Sequence, residues 1–466
     1  MHDCPIQYYV RKLKQFIKWK AEGFDDEEVF IVVFNSYVSC AFFLPQQNAK
    51  AVAGIEVDTE LTKVLSDITS NALVEAVVTY ESLPSSSDVT ALKNLGLETK
   101  TFSELPMVAV KGTKLEITSL LSSSLNAVSV YHNKDLNFLM KDSRKLIGAE
   151  RVWNELGYTG KGTTVAIIDS GIDATHPDLP FGEEKVIQNV KFLAGDLFSN
   201  EPLYLENVQN TDTSSGHGTH VAGTIAGLGT ASEGLYTGVA PDAKLVGLST
   251  GEGINIFWAL EAFNYAIENQ EEYGIDVISN SWGTTGDYSA NDPINIASKK
   301  AHDAGMVVTF AAGNEGPDDN TLNPYSAAPW VISVAAGTKD KQLADFSSRG
   351  VEGDNLLHPD ITAPGVDIIS TKSKTGVVMN TLGSVTDAEY IAPEHLANYT
   401  TASGTSMATP HISGVAALML EANPSLQPDQ VLQLLESTAD PMAGYKFHEV
   451  GAGYVNAYEA VKAAGN

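Results

Sequence analysis

Cysteine is almost missing from this chain: 466 residues contain two, Cys4 and Cys40, both far upstream of the segments with candidate chemistry. No disulfide framework holds the fold, and cysteine usage leaves the compartment undecided. Cationic residues are scarce too, 29 Lys and Arg against 58 Asp and Glu, for a net charge of -29. A field of that sign repels nucleic-acid phosphates and anionic membrane surfaces, so nucleic acid is excluded as a partner, and the carboxylates keep the surface soluble. A membrane-spanning run is lacking as well. The stretch Val29 to Leu44 is uncharged and largely apolar, but a stable span requires about 20 such residues.

What is present is the composition of a globular protein, 43% hydrophobic and 19% charged with 39 glycines, at a length that calls for two to three units. Val29 to Leu44 is followed by Pro45 and the small-residue patterns Ala49-Lys50-Ala51 and Ala51-Val52-Ala53. Residues 29–53 therefore read as a signal-peptide-like segment, which sends the product outside the cell. Residues 1–28 carry basic Arg11, Lys12, Lys14, Lys18 and Lys20, then acidic Asp25 to Glu28. They are an extended leader or a start assigned too early. A buried strand of a cytosolic domain is the competing reading of Val29 to Leu44.

Residues 72–133 form a small α+β unit. An apolar strand at Leu73 to Tyr80 leads into a helix from Ser85 to Leu95, with Ser85 to Ser87 as candidate N-caps. An extended stretch from Pro106 to Val110, a helix at Leu115 to Leu121 and a strand at Ala127 to Tyr131 complete a βαββαβ order. Residues 145–466 alternate apolar strands with amphipathic helices, which predicts an α/β domain whose parallel sheet carries helices on both faces. The clearest strands are Val165 to Ile168, Leu245 to Leu248, Val277 to Ser279, Val307 to Ala311 and Val331 to Ala335. Phe257, Leu260, Phe263 and Ile267 recur at helical spacing and are core.

Three polar residues stand where open α/β sheets place working groups, at strand ends or helix starts. Asp169 ends the strand Val165 to Ile168. His217 lies in Gly216-His217-Gly218-Thr219-His220, before a small-residue helix, and Ser406 lies in Gly404-Thr405-Ser406-Met407, at the start of an apolar helix. A serine hydroxyl needs a neutral imidazole to take its proton, and a carboxylate then fixes the imidazole's tautomer and balances its charge. Asn314, in Ala312-Gly313-Asn314-Glu315, offers an amide donor to a tetrahedral oxyanion. His217 and His220 as a metal pair lack a third ligand, and Met407 and Ala408 exclude a GxSxG elbow.

The order Asp, His, Asn, Ser, carried by DSGID at 169–173, HGTH at 217–220, AAGN at 311–314 and GTSMATPH at 404–411, resembles the subtilisin-like serine peptidases. The resemblance implies Asp169 as orienting carboxylate, His217 as general base and acid, Ser406 as nucleophile and Asn314 as oxyanion donor. It implies that the backbone of Ser281, Trp282 and Gly283, and that of Gly251 to Gly253 opposite, pair with an extended polypeptide substrate. Glu252 and Trp282 are expected to flank the channel. His411 is structural in this motif.

It further implies a secreted, monomeric endopeptidase that works through an acyl-enzyme, requires no cofactor and processes itself from a precursor. Residues 72–133 would be the pro-domain, an intramolecular inhibitor whose tether is cut between Asn133 and Lys145. A structural calcium ion is implied at Asp178. The loop Gly227 to Val239, however, has Thr, Ser, Glu and Gly where relatives present an asparagine-rich ligand loop, and six to eight oxygens cannot be assembled from sequence. The competing reading is a catalytically silent relative acting as a binding or scaffold protein.

Overall fold

The computed structural model describes residues 55–466 apart from 104, 124, 134–142, 183, 194–203, 252–253 and 355. The leader, the signal-like segment, most of the expected cleavage segment, Glu252 and Gly253 lie outside the described residues. The chain divides into two compact units, Met1–Leu136 and Asn137–Asn466.

Among the described residues, the first unit holds a five-stranded sheet with three helices. Its strands are β1 (Glu56–Val57), β2 (Leu73–Tyr80), β3 (Glu98–Thr101), β4 (Met107–Thr113) and β5 (Ala127–His132), in the order β1-β5-β2-β4-β3. Along β2, Val74, Ala76, Val78 and Tyr80 are buried while their neighbours are not, the period-2 pattern of a strand with one covered face. Helices Ser86–Asn94 and Lys114–Leu121 each open on a capping box, Ser85 with Asp88 and Thr113 with Glu116, devices that satisfy otherwise orphaned N–H groups. The unit starts earlier than residue 72. Helix Thr59–Asp67 drops Leu61 and Leu65, one turn apart, into the core, and β1 pairs with β5; a two-residue strand is too short to show a period in sequence.

The second unit is built on an eight-stranded sheet of order β13-β12-β11-β10-β6-β9-β7-β8. These strands are β6 (Thr164–Asp169), β7 (Val186–Phe192), β8 (Tyr204–Leu205), β9 (Lys244–Ser249), β10 (Ile275–Asn280), β11 (Val307–Ala311), β12 (Ile332–Gly337) and β13 (Ile361–Pro364). Every pairing is parallel except that of β7 with β8. Successive residues of β6 enter opposite cores. Val165 and Ile167 pack with helices His217–Ala226 and Thr405–Ala422, whereas Ala166 and Ile168 pack with Phe263 of helix Ile256–Glu268 and Phe310 of β11. A sheet covered on both faces is thereby explained by a strand such as β6, apolar at four successive positions, Val165 to Ile168.

The chain lays β7 and β9 to one side of β6 and β10 to β13 to the other. The direction switches at the carboxyl end of β6, which is where open α/β sheets hold their ligands. Among the described residues no helix is long and apolar enough to cross a membrane.

Candidate active site

Asp169 is the last residue of β6 and is 2% exposed. Its Oδ1 accepts the Ser170 N–H at 2.7 Å and the His217 Nδ1–H at 2.8 Å. That second bond fixes the tautomer, so Nε2 of the quarter-exposed imidazole is left as an acceptor. Burial pulls the imidazole's proton affinity down, but the charge and hydrogen bond of Asp169, with the charge of Asp212 behind them, outweigh it and hold His217 above its ordinary value of 6.5. His217 heads its helix because Gly218 lets the first turn approach β6: a Cβ there would lie 2.2 Å from the Gly171 carbonyl.

Ser406 is the second residue of helix Thr405–Ala422. The preceding Gly404 has φ 158 and ψ 161, a conformation that is essentially glycine-only. The Ser406 hydroxyl donates to the Ser281 carbonyl at 2.7 Å. No bond to His217 is present among the described hydrogen bonds: one hydroxyl carries one proton, and in the resting site an otherwise unpaired carbonyl takes it. Ser281 directly follows β10, in which Asn280 lies opposite Ile168 of β6. The serine anchor and Asp169 thus leave adjacent strands, about 4.8 Å apart, and both pairs end on one sheet edge.

Asn314 follows β11. Its Oδ1 accepts the N–H of Thr405 at 2.9 Å and the Thr405 hydroxyl at 3.0 Å. With the oxygen committed, Nδ2 is the end of the amide that remains to donate.

The expected substrate edges lie to either side of β6, after β10 and β9. Neither backbone group of Gly283 or Gly251 is used in the described hydrogen bonds. Trp282 is half-buried beside that edge. Its indole N–H donates to the Ile168 carbonyl at 2.8 Å, and its ring lies 5.3 Å from Phe310 and 5.8 Å from Tyr325. One side of the ring thus packs on the core beneath the edge.

A calcium ion at Asp178 does not fit these residues. Asp178 is fully buried, with Oδ1 accepting the Ala231 N–H at 2.8 Å and Oδ2 accepting the Tyr399 hydroxyl at 2.6 Å. The carbonyls of Gly234, Leu235 and Thr237, in the adjoining loop, accept from the guanidinium of Arg144 at 3.1, 2.7 and 3.3 Å. Oxygens occupied by protein donors cannot complete a shell of six to eight, and the described residues hold no cluster of three or more His, Cys, Asp or Glu able to bind a metal.

Two residues were missed in the sequence. Arg144 is one. The other is Asp212, buried in the turn before His217, which the sequence presents only as one acid among Thr and Ser.

A strand-end carboxylate bonded to a helix-start imidazole, with a helix-start serine on the same edge of a parallel sheet, places the protein among α/β enzymes of the serine-hydrolase class. The subtilase family profile matches residues 160–454. Serine protease AprX of Bacillus subtilis is 34% identical over 381 residues, covering 77% of this chain and 80% of that protein. Subtilisin DY of Bacillus licheniformis is 35% identical over 323 residues, 68% of this chain and 97% of the relative. Among solved structures, sphericase has a TM-score of 0.51 at 29% identity, covering 66% of this chain and 96% of its own. The chain belongs to the subtilase family of serine peptidases.

Proposed function

We propose that this protein is a secreted serine endopeptidase that cleaves polypeptides through an acyl-enzyme and matures by cutting itself from its N-terminal unit. The observation that carries the reading is the 2.8 Å bond from His217 to Asp169 at the edge that Ser406 and Asn314 also reach. When a peptide enters, the Ser406 hydroxyl turns from the Ser281 carbonyl to His217 Nε2, which takes its proton as Oγ adds to the scissile carbonyl carbon. Apo sites commonly tighten in this way only on binding. The oxyanion formed accepts from Asn314 Nδ2–H and from the Ser406 N–H, one of the orphan donors of its helix's first turn.

His217 then gives the proton to the departing amine, leaving an ester on Ser406. Water adds next, its proton passing to His217, and the acid is released as that proton returns to Ser406. Asp169 holds the imidazole and balances its charge throughout. Every step uses groups of this chain and water, with no cofactor. Gly283 and Gly251 supply free backbone groups for an extended substrate.

The N-terminal unit acts as an intramolecular inhibitor until the tether between Asn133 and Lys145 is cut, because tethering keeps its effective concentration high. The product is a monomer outside the cell. A fluorophosphonate probe, intact mass and N-terminal sequencing of material from the medium test all of this together. The native chain is expected to be shortened and labelled on Ser406, and Ser406→Ala to remain full-length and unlabelled. A native chain that takes no label leaves the silent scaffold standing in its place.

A further inference from the structure

Asp212 is fully buried in the turn ahead of the histidine helix, and both of its carboxylate oxygens are filled by donors. Oδ1 accepts the Gly216 N–H at 2.8 Å and the Ser170 hydroxyl at 3.2 Å; Oδ2 accepts the Thr219 N–H at 3.1 Å and the Thr219 hydroxyl at 2.6 Å. The Ser170 oxygen in turn accepts the Gly218 N–H at 2.9 Å. Gly216, Gly218 and Thr219 surround His217 in sequence, and Ser170 follows Asp169. One carboxylate therefore grips the first turn that carries the imidazole and, through one hydroxyl, the strand end that carries its partner.

We infer that Asp212 is a positioning residue for catalysis: through Ser170 and the first helical turn it fixes Asp169 against His217. Its charge, behind that of Asp169, also favours the protonated imidazole. The inference rests on the serine-peptidase reading and adds a residue to it. Four donors and no acceptor face the carboxyl group, so only its ionised form satisfies them all, and an amide in its place would turn an NH₂ toward donors. A helix N-terminus also favours the charge. The other charged groups are accounted for. Asp169 faces Asp212 from β6, and Asp173 lies beyond Thr219 with its own donors in the Lys374 N–H and the Ser373 hydroxyl. Lys191 of β7 ties Thr211 and Thr213 on either side of Asp212, and His220 of the same helix is neutral because burial pushes it down to about 4.

The test compares peptide hydrolysis by native enzyme, Asp212→Asn and Ser170→Ala as a function of pH. Asp212→Asn is expected to lower kcat by about 10²-fold, the cost of a small misplacement of reacting groups, with little change in KM, and to move the acid limb of kcat/KM to lower pH. Ser170→Ala keeps the charge and is expected to lower kcat while leaving the acid limb in place. A folded Asp212→Asn enzyme with native kcat, or with reduced kcat and an unmoved acid limb, overturns the inference. If that variant does not fold, native kcat in Ser170→Ala overturns it. A native enzyme that hydrolyses no peptide instead brings down the serine-peptidase reading on which this one stands.

Discussion

Thr405 holds the Asn314 side chain by its oxygen with two donors, backbone N–H at 2.9 Å and hydroxyl at 3.0 Å. The residue next to the proposed nucleophile thus orients the proposed oxyanion donor. Asn314→Ala is expected to fold and to lose about 10²- to 10³-fold in kcat, the range known for oxyanion donors of this kind in subtilisin rather than a consequence of this geometry. Thr405→Val keeps the N–H and removes the hydroxyl, so its loss is expected to be about tenfold. Steady-state kcat on one peptide substrate measures both, and equal losses in the two variants would show that Thr405 does more than aim the amide.

His217 must be neutral to accept a proton, and its affinity for protons is raised above the ordinary 6.5 because the Asp169 charge and hydrogen bond overcome burial. Activity is therefore expected to fall as pH drops through a value above 6.5, with the active form dominant on the alkaline side. Asp169→Asn removes the charge that raises it and frees the wrong tautomer, so kcat should drop by about 10⁴-fold, the magnitude found for triad carboxylates in other serine peptidases. An acid limb centred below 6.5 in the native enzyme would contradict the electrostatic balance described here.

Much of the catalytic half was legible because its signals are local. An apolar strand ending in Asp169, and glycines beside His217 and Ser406, are short-range patterns with one structural outcome, as are the strands that became β6, β9, β10, β11 and β12. β7 was not foreseen, since Gln188 and Asn189 interrupt its apolar run; they are tolerated inside because Gln188 accepts two backbone N–H groups and Asn189 donates to the Ile172 carbonyl. Asp212 sits among Thr and Ser and reads as a turn, and only folding buries it against Ser170 and Thr219. Arg144 meets its carbonyls some 90 residues away in the chain. No local pattern announces such partners, and the same holds for the indole of Trp282.

Metal removal separates this chain from the expectation at Asp178. The loop carbonyls that a cation would gather are gathered by Arg144, whose Nε also pairs with Glu150 at 2.9 Å. A chelator is therefore expected to leave the thermal unfolding midpoint of the Ser406→Ala protein unchanged. Arg144→Ala should lower stability by roughly 3 kcal/mol, because three loop carbonyls lose their donor together with the half-buried carboxylate of Glu150. A midpoint that falls on chelation and recovers with calcium would show that an ion, not the guanidinium, holds the loop.

Acid should weaken the fold through two buried histidines. His411 is fully buried in its helix, with Nδ1–H donating to the Met407 carbonyl at 2.9 Å and Nε2 bonded to the Ser143 hydroxyl at 2.8 Å. Burial pushes His411 and His220 down to about 4, whereas in the unfolded chain both take a proton near 6.5. Between those values the unfolded state binds more protons, so stability rises with pH there and is lost as pH falls, by roughly 3 kcal/mol for each ring across the window. His176, also lowered by burial, acts in the same direction. His358 opposes it: although burial lowers that ring too, the charge and hydrogen bond of Asp360 leave it raised, so its contribution is present at low pH and lost as pH rises. Denaturant unfolding of Ser406→Ala, with and without His411→Gln, measures the balance. The added substitution should cost stability at neutral pH yet flatten the acid slope, and an unchanged slope would mean that His411 already carries a proton in the folded protein.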